Sequence, residues 1–475
     1  MMKIYVFLLA LTTLLSLSGC SKYLDVEPKS SVAEEQMFAS EIGFEQALVG
    51  VYSQLSKQSM YGDRLSLGFV SALAQNYTQS SSTAPYYETR SYNYNSDEVR
   101  NILSEVWSSS YNAIAGLNKI IEKSASNKSV LSSKGYNLIR GEALALRAYI
   151  HFDLFRLFGP EYQVGKGQKA IPYETKVDAF ANVPGTSEQV CKLVLSDIAE
   201  AAALLKSVDP VFEDDTDLNT RRIRMNYYGV KGLEARVYMY MGDKPAAAKA
   251  AQEVVDGAKF QFVSNTAVSA AAGSKDRLFM SELVFALRSR DILNWTQQYF
   301  RFYISSGRGL TRTLANINTL YENSTTDVRR LYLFEQDQSI LFPSKFWQTY
   351  TPVTGEGLTS SQRRDQLIPL IRLSEMYYIL AEAANNPAFG AVQLNNVRYA
   401  RAVNKLPEDG SITDTQLQNE IQKEYHKEFY AEGQYFFYLK RKAITRMPFM
   451  SSDVPLSIYK LPVPDVELEY NPTYQ

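Results

Sequence analysis

Between Leu138 and Phe155 the residues Leu138, Gly141, Ala145, Ala148, Phe152 and Phe155 recur in steps of three and four, and along that stripe side-chain size grows from small to bulky. The spacing predicts a helix over 134–158 with one face turned to a partner. Small residues let the partner axis approach, and the two Phe fill the space where the axes part, as in stacked helical hairpins. The idea recurs at 226–241 and 244–257, with Gly232 and Ala235 on one helix and Ala247, Ala248 and Ala251 on the next. Gly242-Asp243 joins them, a loop so short that the two must be antiparallel neighbours. A third hairpin carries Leu373, Met376, Tyr377, Leu380 and Ala381, a stop at Asn385-Asn386-Pro387, then Ala391, Leu394, Asn395 and Arg398.

Further helices are predicted over 41–58, 100–123, 187–206 and 414–431, with the third hairpin spanning 372–385 and 388–402. Hairpins of about 34 residues are of tetratricopeptide size. The predicted fold is therefore mainly all-α, a tetratricopeptide-like scaffold. Long insertions near 59–99, 260–365 and 432–475 interrupt it and hold the irregular material and any β structure. Loops on a rigid scaffold are where binding residues concentrate.

The N-terminus sets the compartment. Lys3 precedes an apolar run from Ile4 to Leu17, of signal-peptide length and short for a membrane span. Leu17-Ser18-Gly19-Cys20 has the form of a lipoprotein processing site. Residues 1–19 are predicted to be a signal peptide, with Cys20 lipidated and residues 20–475 forming one anchored domain. Several acyl chains on one cysteine, at about 0.8 kcal/mol per buried methylene, make release negligible. Cys191, the other cysteine, lies in an apolar-periodic stretch and is predicted to be a buried structural thiol.

With 50 basic and 51 acidic residues and no basic stripe, the chain is not built for nucleic acid. Its two histidines, His151 and His426, fall in helical segments and read as structural. No His-Glu-x-x-His, Gly-x-Ser-x-Gly or phosphate-loop motif is present, and no catalytic residue is assigned. Asp215-Thr216-Asp217-Leu218-Asn219 opens like a calcium loop, but Thr220 stands where the turn needs glycine and Asn226 where a bidentate Glu is required. That stretch reads as an acidic solvated loop, and no metal or other cofactor is expected.

The chain has 33 Tyr and 23 Phe but 3 Trp. Tyrosines among amides and hydroxyls supply what sugars need, flat faces for C–H patches and polar groups for ring oxygens. Tyr77, Tyr86 and Tyr87, followed by Tyr92 and Tyr94, form one such set in the first insertion. Trp295, Tyr299 and Tyr303 form a second, aligned by steps of four if helical, although the same spacing also describes a core stripe. Trp107 and Trp347 read as core.

Cys20 with Tyr23-Leu24-Asp25 and Pro28 begins a long series of matches. It continues through Gly141-Glu142-Ala143, Leu146-Arg147-Ala148-Tyr149, Phe158-Gly159-Pro160, Ile171-Pro172, Asp197-Ile198 and Ala235-Arg236-Val237-Tyr238. It then runs through Ile371-Arg372-Leu373-Ser374-Glu375, Ala381-Glu382-Ala383, Val397-Arg398, Glu424, Glu428-Phe429, Glu432-Gly433 and Lys440-Arg441 to Leu461-Pro462-Val463-Pro464 and Asn471-Pro472. In this order the fragments resemble the SusD/RagB family of outer-membrane lipoproteins. The family divides into a SusD-like N-terminal part, about 20–260 here, and a SusD/RagB C-terminal part, about 270–475.

The resemblance implies a helical, non-catalytic cell-surface lipoprotein that binds an oligosaccharide and delivers it to a SusC-like TonB-dependent transporter. A peptide ligand is the alternative within that role; an exported hydrolase and a purely structural lipoprotein are readings from other classes. It also implies that Arg147, Arg372 and Arg398, on helices that carry Glu142, Glu375 and Glu382, are ion-pair partners holding hairpins together. Two positions depart from the pattern. Many relatives have Glu-Arg where this chain has Glu424-Tyr425, and Asp-Leu where it has Tyr438-Leu439; the run Gln434-Tyr435-Phe436-Phe437-Tyr438 is more aromatic than the common pattern, which implies a subgroup that need not share a starch specificity.

Overall fold

The computed structural model describes residues 34–177, 182–213, 218–337, 340–347 and 365–474. The predicted lipidation site Cys20 and residues Asp215, Thr216 and Asp217 of the acidic loop lie outside them. All nine predicted helices form: α1 Glu41–Leu55, α2 Asp97–Ser126, α3 Ser133–Phe158, α4 Ser187–Lys206, α5 Tyr227–Met241, α6 Lys244–Asp256, α7 Leu373–Ala383, α8 Pro387–Ala400 and α9 Asp414–Glu428. A tenth, α10 Gln434–Arg441, lies in a segment expected to be irregular.

Local chemistry starts most of them. Ser40, Ser96, Ser132, Thr186, Asn226, Asp243, Asn386 and Thr413 are N-caps whose side chains accept from the first-turn backbone. Each such cap contributes about 1 kcal/mol. At the other end of α5, Gly242 takes φ +80°, the left-handed turn that lets α6 double back.

Each helix packs on the next in this order, from α1 on α2 to α9 on α10, including α6 on α7 across the longest insertion. Such nearest-neighbour stacking is the arrangement of a helical-repeat protein. Gly141 shows why the small half of α3 matters: a Cβ there would lie 2.8 Å from Leu205 Cγ of α4.

Among the described residues, the named strands lie in the second insertion and its exit. β1 Leu283–Arg288 pairs antiparallel with β5 Leu367–Arg372, and β2 Arg312–Thr313, β4 Ile340–Pro343 and β3 Phe334–Asp337 form a small sheet in that order. The first insertion has turns and the short helix Phe69–Leu73.

Arg147, Arg372 and Arg398 are ion-pair partners, but across helices and not with the acids nearest in sequence. Arg147 clamps Asp197 of α4 through two 2.7 Å bonds, and Arg398 reaches Glu420 and Glu424 of α9. Glu142 pairs with Arg221, Glu375 with Arg236, and Glu382 with Arg441. Around Glu428 the pairs merge into a buried hub. Its carboxylate accepts from Arg401 at 2.6 and 3.0 Å, from Arg329 at 3.0 Å and from Arg372. Three guanidinium groups, Arg401 first, hold its pKa well below the usual carboxylate range against the opposing effect of burial.

The two departures from the family pattern prove to be partners. Tyr425 of α9 and Tyr438 of α10 are buried and stacked, with centroids 4.4 Å apart and planes 28° from parallel. This aromatic pair joins the two helices. The aromatic run is core, so it does not bear on ligand choice.

Candidate functional site

Two insertions converge. Thr78 bridges Thr311 through a 2.8 Å backbone bond, Arg308 Nε donates to Thr83 O at 2.9 Å, and Arg312 donates to Gln75 O. This stitching brings the two tyrosine sets of the sequence together.

Trp295 lies on a short helix, Ile292–Gln297, that widens into a π-turn over Gln298–Phe302. Wide turns of this kind occur often at functional positions. Steps of four keep the three rings in a ladder. Trp295 and Tyr299 stack with centroids 6.4 Å apart and planes 24° from parallel, and Tyr303 follows at 6.4 Å. Trp295 and Tyr303 are half-buried, whereas Tyr299 between them is buried. The ladder is therefore a core stripe at its centre and a surface at its ends.

Polar groups fix its underside. Tyr299 OH donates to Asp63 Oδ2 at 3.0 Å and accepts from Gln58 Nε2 at 2.9 Å. Tyr86 OH donates to the same Asp63 oxygen at 2.5 Å, and Arg64 Nη1 reaches that hydroxyl at 2.7 Å. Burial raises the pKa of Asp63, and the Arg64 charge and these hydrogen bonds oppose it. Both phenols are pushed up, by burial first and the Asp63 charge second.

Tyr77 and Tyr86 require a correction as ligand-contacting residues. They are 2% and 1% exposed, and Tyr77 OH is spent on Leu67 O at 2.5 Å. Their rings wedge the loop against Phe300 and Tyr299 and so act beneath the surface. Tyr87 remains half-buried with the Arg90 guanidinium 4.0 Å above its ring, and Arg308 lies 4.4 Å over Tyr303. Of the candidate rings, Trp295, Tyr303 and Tyr87 keep partial exposure, with Arg308 over Tyr303 and Arg90 over Tyr87. Asp63, Gln58 and Arg64 were missed from sequence; the available signal was Asp63-Arg64, a charged pair within an otherwise largely apolar run from Met60 to Leu73.

The two histidines and Cys191 lie away from this cluster and are buried. His151 Nδ1 is 2.9 Å from Arg147 O and its Nε2 accepts from the Glu174 amide at 2.9 Å. His426 stacks on Tyr435 at 4.1 Å with Nε2 2.9 Å from Asn76 Oδ1. Burial holds both imidazoles neutral, lowered to about 3. Cys191 is buried and its thiol is pushed up to about 12 by burial. Trp107 and Trp347 are core, as expected. Asn226 is a buried helix cap, so the position a calcium loop would need is already committed. Among the described residues, no cluster of three or more His, Cys, Asp or Glu could hold a metal ion, and no helix is long and apolar enough to cross a membrane.

A sequential stack of helical hairpins that carries partly exposed aromatic rings on its insertions defines a tetratricopeptide-like scaffold. The chain belongs to the SusD/RagB family: a model described as "Starch-binding associating with outer membrane" matches residues 22–216, and the SusD family model matches residues 307–473. A SusD-like protein of Formosa agariphila is 27% identical over 269 residues, 55% of this chain and 47% of that protein. A second from the same organism is 22% identical over 454 residues, 86% of this chain and 84% of its own length. The chain spans about half the length of the first two curated relatives it matches.

Among solved structures, a SusD superfamily protein from Bacteroides thetaiotaomicron superposes with a TM-score of 0.71 at 24% identity, covering 91% of this chain and 98% of that one. A SusD-like carbohydrate binding protein from Bacteroides vulgatus does so with a TM-score of 0.69 at 16% identity, covering 92% and 97%. These likenesses show the fold.

Proposed function

We propose that this chain is a non-catalytic, lipid-anchored binder at the outer-membrane surface that captures an oligosaccharide and passes it to a SusC-like TonB-dependent transporter. The observation that carries the binding half is the Trp295–Tyr299–Tyr303 ladder. Its central ring is held by Asp63, while its two ends stay partly exposed, Tyr303 beneath the Arg308 guanidinium. A flat face that is already held in place loses little freedom when a sugar stacks on it. The family model that covers the N-terminal part, described by starch binding and outer-membrane association, supports the same reading. Lipidation at Cys20 supplies the anchor, and the transporter is the partner the family implies.

The test uses the chain starting after Cys20, titrated calorimetrically with maltoheptaose, cellohexaose, laminarihexaose and xylohexaose, and with a panel of peptides. Binding of one oligosaccharide is expected, unchanged in length after incubation. Trp295→Ala should weaken it about two- to tenfold, the worth of one aromatic contact at roughly 0.5–1.5 kcal/mol. Shortened sugar products would refute the non-catalytic reading, and binding of peptides alone would replace the ligand class.

A further inference from the structure

We propose that the cleft between the first two turns of α2 and the Pro462–Val466 segment is a second saccharide subsite, distinct from the Trp295 platform and resting on the same glycan-capture reading. The cleft encloses about 570 Å³ and opens beside a groove of about 980 Å³, sharing Tyr94, Asn95, Pro462 and Val463 with it. Both fall within the range of about 300–1,000 Å³ typical of small-ligand sites.

Its chemistry is that of a sugar site. Asp97, Arg100 and Asn101 lie three and four residues apart at the start of α2 and line one side. Opposite them are the apolar faces of Pro462 and Val463. Tyr94 closes one end with its hydroxyl fixed by a 2.5 Å bond to Ile458 O, so the ring is positioned before any ligand arrives.

Vicinal pyranose hydroxyls both donate and accept, and both kinds of partner are present. The exposed amides of Asn95 and Asn101 make no hydrogen bond among the described residues. Arg100 forms an ion pair with Asp465 in which the side chains are 53% and 65% exposed. A pair so solvated contributes little, so exchanging one of its contacts for a hydroxyl costs little. The two carboxylates, Asp97 and Asp465, disfavour a phosphate or sulfate and select a neutral ligand.

The test uses the chain starting after Cys20 with the same four oligosaccharides, comparing wild type, Asn101→Ala, Arg100→Ala and Trp295→Ala. Asn101 and Arg100 are exposed, so these variants should keep the native fold; circular dichroism checks this. The expected result is that Asn101→Ala and Arg100→Ala each weaken binding about two- to tenfold, the effect of one lost hydrogen bond. Their effect should persist in the Trp295→Ala background. A crystal soaked in the bound sugar should show it against Tyr94. If Asn101→Ala and Arg100→Ala bind as wild type while Trp295→Ala does not, the second subsite is overturned and the platform stands. Loss confined to the α2 variants would uphold the cleft and overturn the platform. If wild type binds none of the sugars, both readings fall.

Discussion

Lowering the pH from 7 to 5 should destabilise this protein through two side chains. The chain has only His151 and His426 as histidines, and burial lowers both to about 3. In the unfolded chain each returns to about 6.5. Their folded values are depressed, so the unfolded state binds two protons that the folded state refuses, and stability falls as pH drops from about 6.5 towards 3. The slope they contribute is roughly 2.7 kcal/mol per pH unit below pH 6, which integrates to about 4 kcal/mol between pH 7 and 5. Urea unfolding at pH 7, 6 and 5, followed by tryptophan fluorescence, measures it. Comparison with the His151→Gln/His426→Gln double variant isolates it, because other titrating groups are common to both chains. The wild type should lose about 4 kcal/mol more than the variant over this interval. Parallel pH dependences, or imidazole NMR signals of the folded protein titrating near 6.5, would refute the reasoning.

Glu428→Ala leaves Arg329, Arg372 and Arg401 short of a buried counter-charge, and should cost about 3–5 kcal/mol. At roughly 2.1 cal/mol/K per residue of unfolding entropy, that is about 3–5 °C in Tm by calorimetry. Tyr425→Arg should destabilise by burying a charge against Tyr438, and adding Tyr438→Asp should recover part of the loss; an additive pair in urea unfolding would show that the two positions do not communicate. Cys191, with its thiol pushed up to about 12, should remain unmodified by iodoacetamide at pH 8 in the native state and react on unfolding, as read by mass spectrometry.

The repeat scaffold was legible because its information is local. Period, short turns and the Asn385-Asn386-Pro387 stop placed nine helices, and Gly141 and Gly232 marked close approaches that the structure contains, with a Cβ on Gly232 falling 2.8 Å from Ile371. What joins distant segments was not legible. Arg147 could be read as an ion-pair partner, yet its partner Asp197 is chosen by helix stacking, not by proximity in sequence. α10 was hidden because it is only eight residues long, about two turns, too short for a helical period to stand out. The tyrosine sets were found by composition, which cannot distinguish a ring on the surface from one wedged beneath it; Tyr77 and Tyr86 belong to the second kind. The Asp63 anchor depends on two insertions meeting, a fact no local pattern records.

The pairing of β1 with β5 also has an evolutionary consequence. Arg288 opposes Leu367, so the long excursion between them enters and leaves through a zipped stem, and α6 still touches α7 behind it. The stem fixes both ends, so lengthening a loop within the excursion adds little closure cost, about 0.6 kcal/mol for each doubling, while Arg329 inside it stays tied to the Glu428 hub. Recombination or drift could lengthen, shorten or re-sculpt the Trp295 region without disturbing the helices. A lineage could thus change what it captures while keeping the same chassis.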